Sequence, residues 1–231
     1  MKSIFGFLTF APWLFVAILV LGYENESKLR ADKLRNYDPV VSPRSPTHVT
    51  VSLNIYKITD IVMTSGIMEF SGWVTLSWND PRLAWNMSNP NYTGVAQTYY
   101  KAQPFSHVGS EVWTPDLDLY NGFRSFTEFV SKPVVAYPSG NVWWAPQGVM
   151  QAICSFKDIE RFPFDEPGCI LDFGGWTQSG PYVNYIPGKL FFQVTEASDY
   201  DFAPYEMDVE GSTISSNDYF YDCCPNEPWP I

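Results

Sequence analysis

Residues 48–58, HVTVSLNIYKI, set Val49, Val51, Leu53 and Ile55 between polar neighbours. That alternation has the period of a strand with one buried face. GWVTLSWND at 72–80 repeats it, with Val74, Leu76 and Trp78 on one side. Further short runs are KPVVAY (132–137), GNVWW (140–144), GVMQAICSF (148–156), GCILDFGGW (168–176) and KLFFQVTE (189–196). Gly, Pro and Asn bound them, as expected at strand ends. ENESKLRADKLRN (24–36) is the one helical pattern, with Leu29 and Leu34 on one side; Asp38-Pro39 and Ser42 to Pro46 stop it. Many short strands with turn signals between them predict an all-β sandwich or barrel preceded by a short helix. No repeat, low-complexity tract or linker divides the chain.

Ahead of this pattern lies an apolar run from Ile4 to Leu21 that turns polar after Gly22. It reads as a signal peptide over residues 1–22. Its length also reaches that of a membrane anchor, against which stand Pro12 in its middle and the lack of a basic cluster after it. No later segment is apolar for long enough to span a bilayer. Residues 23–231 then form one domain with a sizeable core.

Charge and composition narrow the partners. A formal net charge of −11 disfavours nucleic acid or an anionic lipid surface and suits a cationic ligand. Four cysteines in an exported chain are expected to be oxidised, with three pairings available. Sequons at Asn25, Asn86 and Asn91 fit that compartment. His48 and His107 stand far apart without a cysteine or carboxylate cluster at metal spacing, so no metal or other cofactor is expected. No nucleophile elbow, phosphate loop or dinucleotide fingerprint points to an enzyme.

The informative residues are aromatic and cysteine. Cys154 and Cys169 flank a segment with Phe162-Pro163-Phe164-Asp165 near its end; closing a loop of that size stabilises by about 3 kcal/mol in the chain-entropy model. Two phenylalanines at a loop tip suggest a partner surface. Cys223 and Cys224 are adjacent, with Cα atoms about 3.8 Å apart across a trans peptide, closer than most disulfides. Either they form a strained ring or each bridges to Cys154 and Cys169, and the residues alone leave both arrangements open.

The chain resembles the extracellular ligand-binding domain of a nicotinic acetylcholine receptor subunit of alpha type, in the Cys-loop family of pentameric ligand-gated ion channels. The motifs that carry the likeness are KLRNYDPVVSP…HVTVSLNIYKITDI, the W-x-D-x-x-L-x-W of Trp78 to Trp85 and VWTPDLDLYN at 112–121. The cysteine loop with FPFD, GGW at 174–176 and Y-x-C-C-P at 221–225 complete them. They run in family order from Ser27 to Ile231, over nearly all of the mature chain. The resemblance implies an immunoglobulin-like β-sandwich, a Cys154–Cys169 bridge and a vicinal Cys223–Cys224 disulfide at a hairpin tip. It also implies a box for acetylcholine or a similar cationic amine between two subunits of a homo- or hetero-pentamer. Tyr120, Trp176, Tyr221 and Trp229, with the paired cysteines, would form the principal face; Trp78, Val135, Trp143 and Ala145 would form the complementary face. Acids near Asp199 and Glu206 would add negative potential. Phe162, Pro163, Phe164 and Asp165 would couple binding to a pore. The remaining tryptophans, Trp73, Trp85, Trp113 and Trp144, read as core.

Several departures stand out. Trp229 occupies a position usually held by tyrosine. The cysteine loop is one residue longer than is usual in those receptors. Asp172 replaces a lysine linked to closure of the hairpin. The family's last strand and membrane helices would follow Ile231, so the sequence reads as a truncated subunit whose membrane attachment is missing. Two functions are expected from different classes: a channel subunit on the extracellular face of the postsynaptic membrane, or a secreted binding protein that buffers ligand. The apolar FPF loop favours the channel, because a soluble relative has no membrane domain to receive it.

Overall fold

Two long antiparallel strands carry the architecture, β1 (Thr47–Val62) and β2 (Ile67–Asn79). The computed structural model describes residues 12–103, 108–123, 130–156, 168–192 and 211–231, with side chains from residue 23 on. In register, Val51 faces Leu76 and Leu53 faces Val74, so both alternations bury the same side. Helix α1 (Pro12–Leu34) precedes them. It begins well before the helix start expected at residue 24, and Leu29 is its fully buried anchor.

The remaining strands are β3 (Thr98–Tyr100), β4 (Leu117–Leu119), β5 (Val134–Ala136), β6 (Asn141–Trp144) and β7 (Gln147–Ile153). After them come β8 (Phe173–Gly175), β9 (Val183–Phe192), β10 (Asp218–Tyr219) and β11 (Trp229–Pro230). The main sheet runs β3-β5-β6-β2-β1-β9, with β7 pairing the other half of β2. β4 pairs β8, and β10 pairs β11, in two short antiparallel ladders. Leu117 and Leu119 of β4 join the inward residues of β1 and β2 in a single core. The fold is all-β, as the alternation predicts.

Among the described residues β9 is an edge strand, running parallel to β1, and its register slips between Val51 and Leu53, opposite Pro187 and Leu190. Proline and a register slip are both tolerated at a sheet edge, which is why a strand survives across a Pro-Gly pair. Between β1 and β2 the chains approach so closely at Gly72 that an added Cβ would lie 2.2 Å from the Asn54 carbonyl oxygen. Beside that contact the β1 register shifts between Ile55 and Lys57.

One buried charge is fully engaged. Asp80, 0% exposed, accepts from Arg82 Nη2 at 2.8 Å, the Arg82 backbone N–H at 3.0 Å and the Tyr37 hydroxyl at 2.5 Å. The Arg82 guanidinium lies 4.1 Å over the Tyr37 ring. Burial, then the hydrogen bond to Asp80, pushes the Tyr37 phenol far above the usual tyrosine range. This network joins the end of β2 to the segment after α1. Among the described residues no helix is long and apolar enough to cross a membrane.

Candidate functional site

Tyr120 directly follows β4, whose Leu117 and Leu119 face the core, and is half-buried. Its N–H donates to the Asp172 carbonyl at 2.7 Å, so Asp172 acts on Tyr120 through backbone. The phenol lies on β8: an added Cβ at Gly174 would come within 2.8 Å of the ring. The hydroxyl donates to the Gly175 carbonyl. Glycine at 174 is therefore a requirement of the ring's position. Trp176 follows directly, is 70% exposed, and meets Tyr120 edge-on with centroids 6.3 Å apart.

Asp116 fixes the turn that presents Trp176. Its carboxylate accepts the Thr177 N–H at 2.6 Å and the Thr177 hydroxyl. Its other oxygen accepts the Tyr185 hydroxyl at 3.3 Å, and its backbone carbonyl accepts the Trp176 N–H at 3.4 Å. Tyr185 is buried beneath this clamp, and burial first, then Asp116, holds its phenol protonated well above the ordinary range.

The last two strands form a hairpin with the cysteine pair at its turn. Asn217 and Ile231 exchange backbone hydrogen bonds at 2.8 Å, and Cys224 N–H returns to the Tyr221 carbonyl at 2.9 Å. Tyr219 packs on Tyr221 at 4.7 Å, and Tyr221 meets Trp229 edge-on at 5.9 Å. The Gly180 N–H donates to the Pro228 carbonyl at 2.8 Å, which ties the hairpin to the loop after Trp176. Burial raises the Tyr120 phenol far above its usual range, with Tyr221, Asp116 and Asp118 adding to the shift. The rings meet in two edge-on pairs, Trp176 with Tyr120 and Tyr221 with Trp229, and Asp116 and Asp118 lie close enough to act on the Tyr120 phenol.

The sulfurs of Cys223 and Cys224 lie 2.7 Å apart as a pair of thiols, Cys223 exposed and Cys224 half-buried. That is closer than van der Waals contact and longer than the bond of about 2.05 Å in a disulfide. Cys154 and Cys169 are bonded, with Cα atoms 5.1 Å apart. Ile153 and Ile170 beside that bridge are exposed at 53% and 76%. Phe162, Pro163, Phe164 and Asp165, with His107, Asp199 and Glu206, lie outside the described residues.

On the main sheet, Val135 faces Trp143 across β5 and β6, and Trp143 faces Ser77 of β2. Val135 and Ala145 are half-buried and Trp143 is exposed, so these three expected residues line the outer face. Trp78 does not. It sits opposite the buried Val142, is 5% exposed, and packs edge-on against Trp113 at 5.7 Å. The correction follows from strand parity: Trp78 shares the inward side with Val74 and Leu76. Trp73, five positions earlier and hence of opposite parity, turns outward. It is half-buried rather than core, opposite Gln147 and 5.9 Å from the Tyr56 ring. Trp85, Trp113 and Trp144 are buried as expected.

Of the sequons, Asn86 and Asn91 are exposed in the loop after β2, whereas the Asn25 amide donates to the Thr93 carbonyl at 3.0 Å. Asp116, Thr177 and Tyr185 are residues that sequence reading did not single out, and Trp73 is one that it assigned to the core. Asp116 stands inside the quoted WTPDLDLY motif, and the alternation of GWVTLSW separates Trp73 from Trp78; nothing in the sequence marks Tyr185.

A family model described as the neurotransmitter-gated ion-channel ligand binding domain matches residues 26–230. Acetylcholine receptor subunit alpha-type acr-16 of Caenorhabditis elegans is 30% identical over 220 residues, covering 93% of this chain and 41% of that protein. Acetylcholine receptor subunit alpha-type unc-38 of the same species is 28% identical over 233 residues, covering 95% of this chain and 43% of that protein. Acetylcholine receptor subunit alpha-like of Manduca sexta is 28% identical over 219 residues, covering 90% and 40%. The chain spans about two fifths of the length of these relatives.

Proposed function

The chain belongs to the neurotransmitter-gated ion-channel ligand-binding domain family, and on that premise we propose that it is the extracellular agonist-binding domain of an acetylcholine-gated cation channel subunit. The family is one of receptors, not enzymes. The observation that carries the reading is two edge-on ring pairs, Trp176–Tyr120 and Tyr221–Trp229, with Tyr221 close enough to act on the Tyr120 phenol. A quaternary ammonium within about 6 Å of such faces gains roughly 0.5–2 kcal/mol per good contact once desolvated. Several rings together reach micromolar affinity without a formal counter-charge, since that corresponds to about −8 kcal/mol.

One copy supplies these four rings, with the hairpin closing over the amine. A neighbouring subunit of the pentamer supplies the outer face of its main sheet: Trp73, Val135, Trp143 and Ala145. Cys223 and Cys224, with sulfurs 2.7 Å apart, are oxidised by the secretory pathway's thiol oxidants to a vicinal disulfide that stiffens the hairpin tip. Phe162-Pro163-Phe164 passes closure on toward a pore formed outside the residues of this chain. The domain works on the extracellular side of the membrane.

Titration of the assembled protein with acetylcholine, with and without Trp176→Ala, tests this reading. Loss of one principal ring is expected to weaken binding by about tenfold or more. Equal affinity in the two proteins removes Trp176 from the site.

A further inference from the structure

We propose that Tyr185 is a positioning residue of the amine site: its hydroxyl orients the Asp116 carboxylate that holds the Trp176–Thr177 turn. The inference rests on the amine-binding reading above. Tyr185 never faces the box. It lies on β9, 5% exposed, and acts from below through one hydrogen bond of 3.3 Å to Asp116 Oδ1.

The geometry gives that bond a specific task. Asp116 Oδ2 is committed to the Thr177 N–H and hydroxyl. A carboxylate held through one oxygen can still swing about its own side-chain torsion; a second donor on the other oxygen fixes the plane. Tyr185 is the donor to Oδ1. The space around the pair is closed by Gly175, where an added Cβ would sit 3.1 Å from Tyr185 Cε2 and 3.3 Å from Asp116 Oδ1. Gly175 also accepts the Tyr120 hydroxyl. One buried phenol therefore registers Asp116, Gly175 and, through them, the edge-on relation of Trp176 to Tyr120. A highly exposed tryptophan has little packing of its own to define its pose, so the clamp behind it has to supply the order. The raised Tyr185 phenol agrees with this, because a protonated hydroxyl is what donates.

The test is a double-mutant cycle on the full chain in its assembled form, with acetylcholine as the probe. Tyr185→Phe keeps the ring and removes only the hydroxyl, and Thr177→Ala removes one donor from the opposite oxygen. Each is expected to weaken binding about threefold to tenfold. Together they are expected to lose clearly less than the product of the two, because both act through one carboxylate. Melting temperatures measured in parallel separate order at the site from global stability. Hydrogen exchange at the Thr177 amide is expected to quicken in Tyr185→Phe relative to wild type. If Tyr185→Phe does not fold, Tyr185→Leu takes its place in the cycle, and Thr177→Ala alone must still weaken binding. A multiplicative cycle, or a lowered melting temperature with affinity and Thr177 exchange unchanged, overturns the proposal. Trp176→Ala in the same titration keeps the outcomes distinct. If Trp176→Ala abolishes binding while Tyr185→Phe does not weaken it, the positioning role fails alone; if neither changes binding, the amine site fails first.

Discussion

Trp73 and Trp78 lie five positions apart on one strand, and the fold gives them opposite duties. Replacing each by alanine separates the core from the binding face. Trp78, 5% exposed, removes roughly 200 Å² of surface from water, or about 5 kcal/mol at 25 cal/mol/Å². Its edge contact with Trp113 adds about 1 kcal/mol. Its indole N–H is buried without an acceptor, and deleting it relieves about 1–3 kcal/mol. The net loss of about 3–5 kcal/mol matches the usual cost of truncating a core tryptophan, and lowers the melting temperature of a domain of this size by about 6–20 °C. Trp73 is half-buried and costs less than half as much. In return its loss weakens acetylcholine binding by about 5- to 30-fold, the equivalent of one desolvated cation–π contact. Thermal melts and titrations of both variants, with affinity expressed per folded protein, provide the assay. A Trp73→Ala protein that melts as low as Trp78→Ala while binding normally would refute the parity argument and return Trp73 to the core.

Two further predictions concern stability. Arg82→Ala leaves the Asp80 carboxylate buried with only Tyr37 and backbone donors; a loss of about 3–5 kcal/mol is expected, read as a drop in the urea midpoint at an unchanged slope. On the alkaline side, Tyr37, Tyr100, Tyr120 and Tyr185 all titrate above the ordinary tyrosine value of 10.0, with burial the first cause in each. The unfolded chain therefore releases these protons first. Stability is full below about pH 10 and falls as pH rises past it toward the folded-state values. Phenolate absorbance is expected to rise for exposed tyrosines before unfolding and for these four only with it; smooth titration of all tyrosines in the native state would count against it.

What was legible in the sequence follows from how each element is held. β1 and β2 bury one face over many residues, so Val49 to Ile55 and Val74 to Trp78 announce themselves by alternation. β3 and β4 are three residues long, too short for a period to emerge. The first half of β9 is concealed by Pro187 and Gly188, which a sheet edge accommodates and a central strand would not. The helix start was obscured because an apolar run reads equally as a leader and as the first turns of α1. Of the proposed site, Tyr120, Trp176, Tyr221 and Trp229 are reachable only through ordered motifs, since their partners are distant in sequence. Trp78 was misassigned by motif although its parity with Val74 and Leu76 places it inside. Asp116 and Tyr185 meet across 69 residues, a contact that no local pattern encodes.

That contact bears on ligand choice. A free carboxylate in contact with the ligand would favour any small cation, sodium and lysine included, in proportion to charge density. Here the Asp116 oxygens are occupied by Thr177 and Tyr185, so the carboxylate contributes field but not direct contact. The surface left for the ligand is aromatic, and rings cannot replace the water around a strongly hydrated ion. They gain most from a large cation that sheds water cheaply. On the proposed function, a preference for an organic ammonium depends on the acid being kept behind the rings, which is the task proposed for the buried hydroxyl of Tyr185.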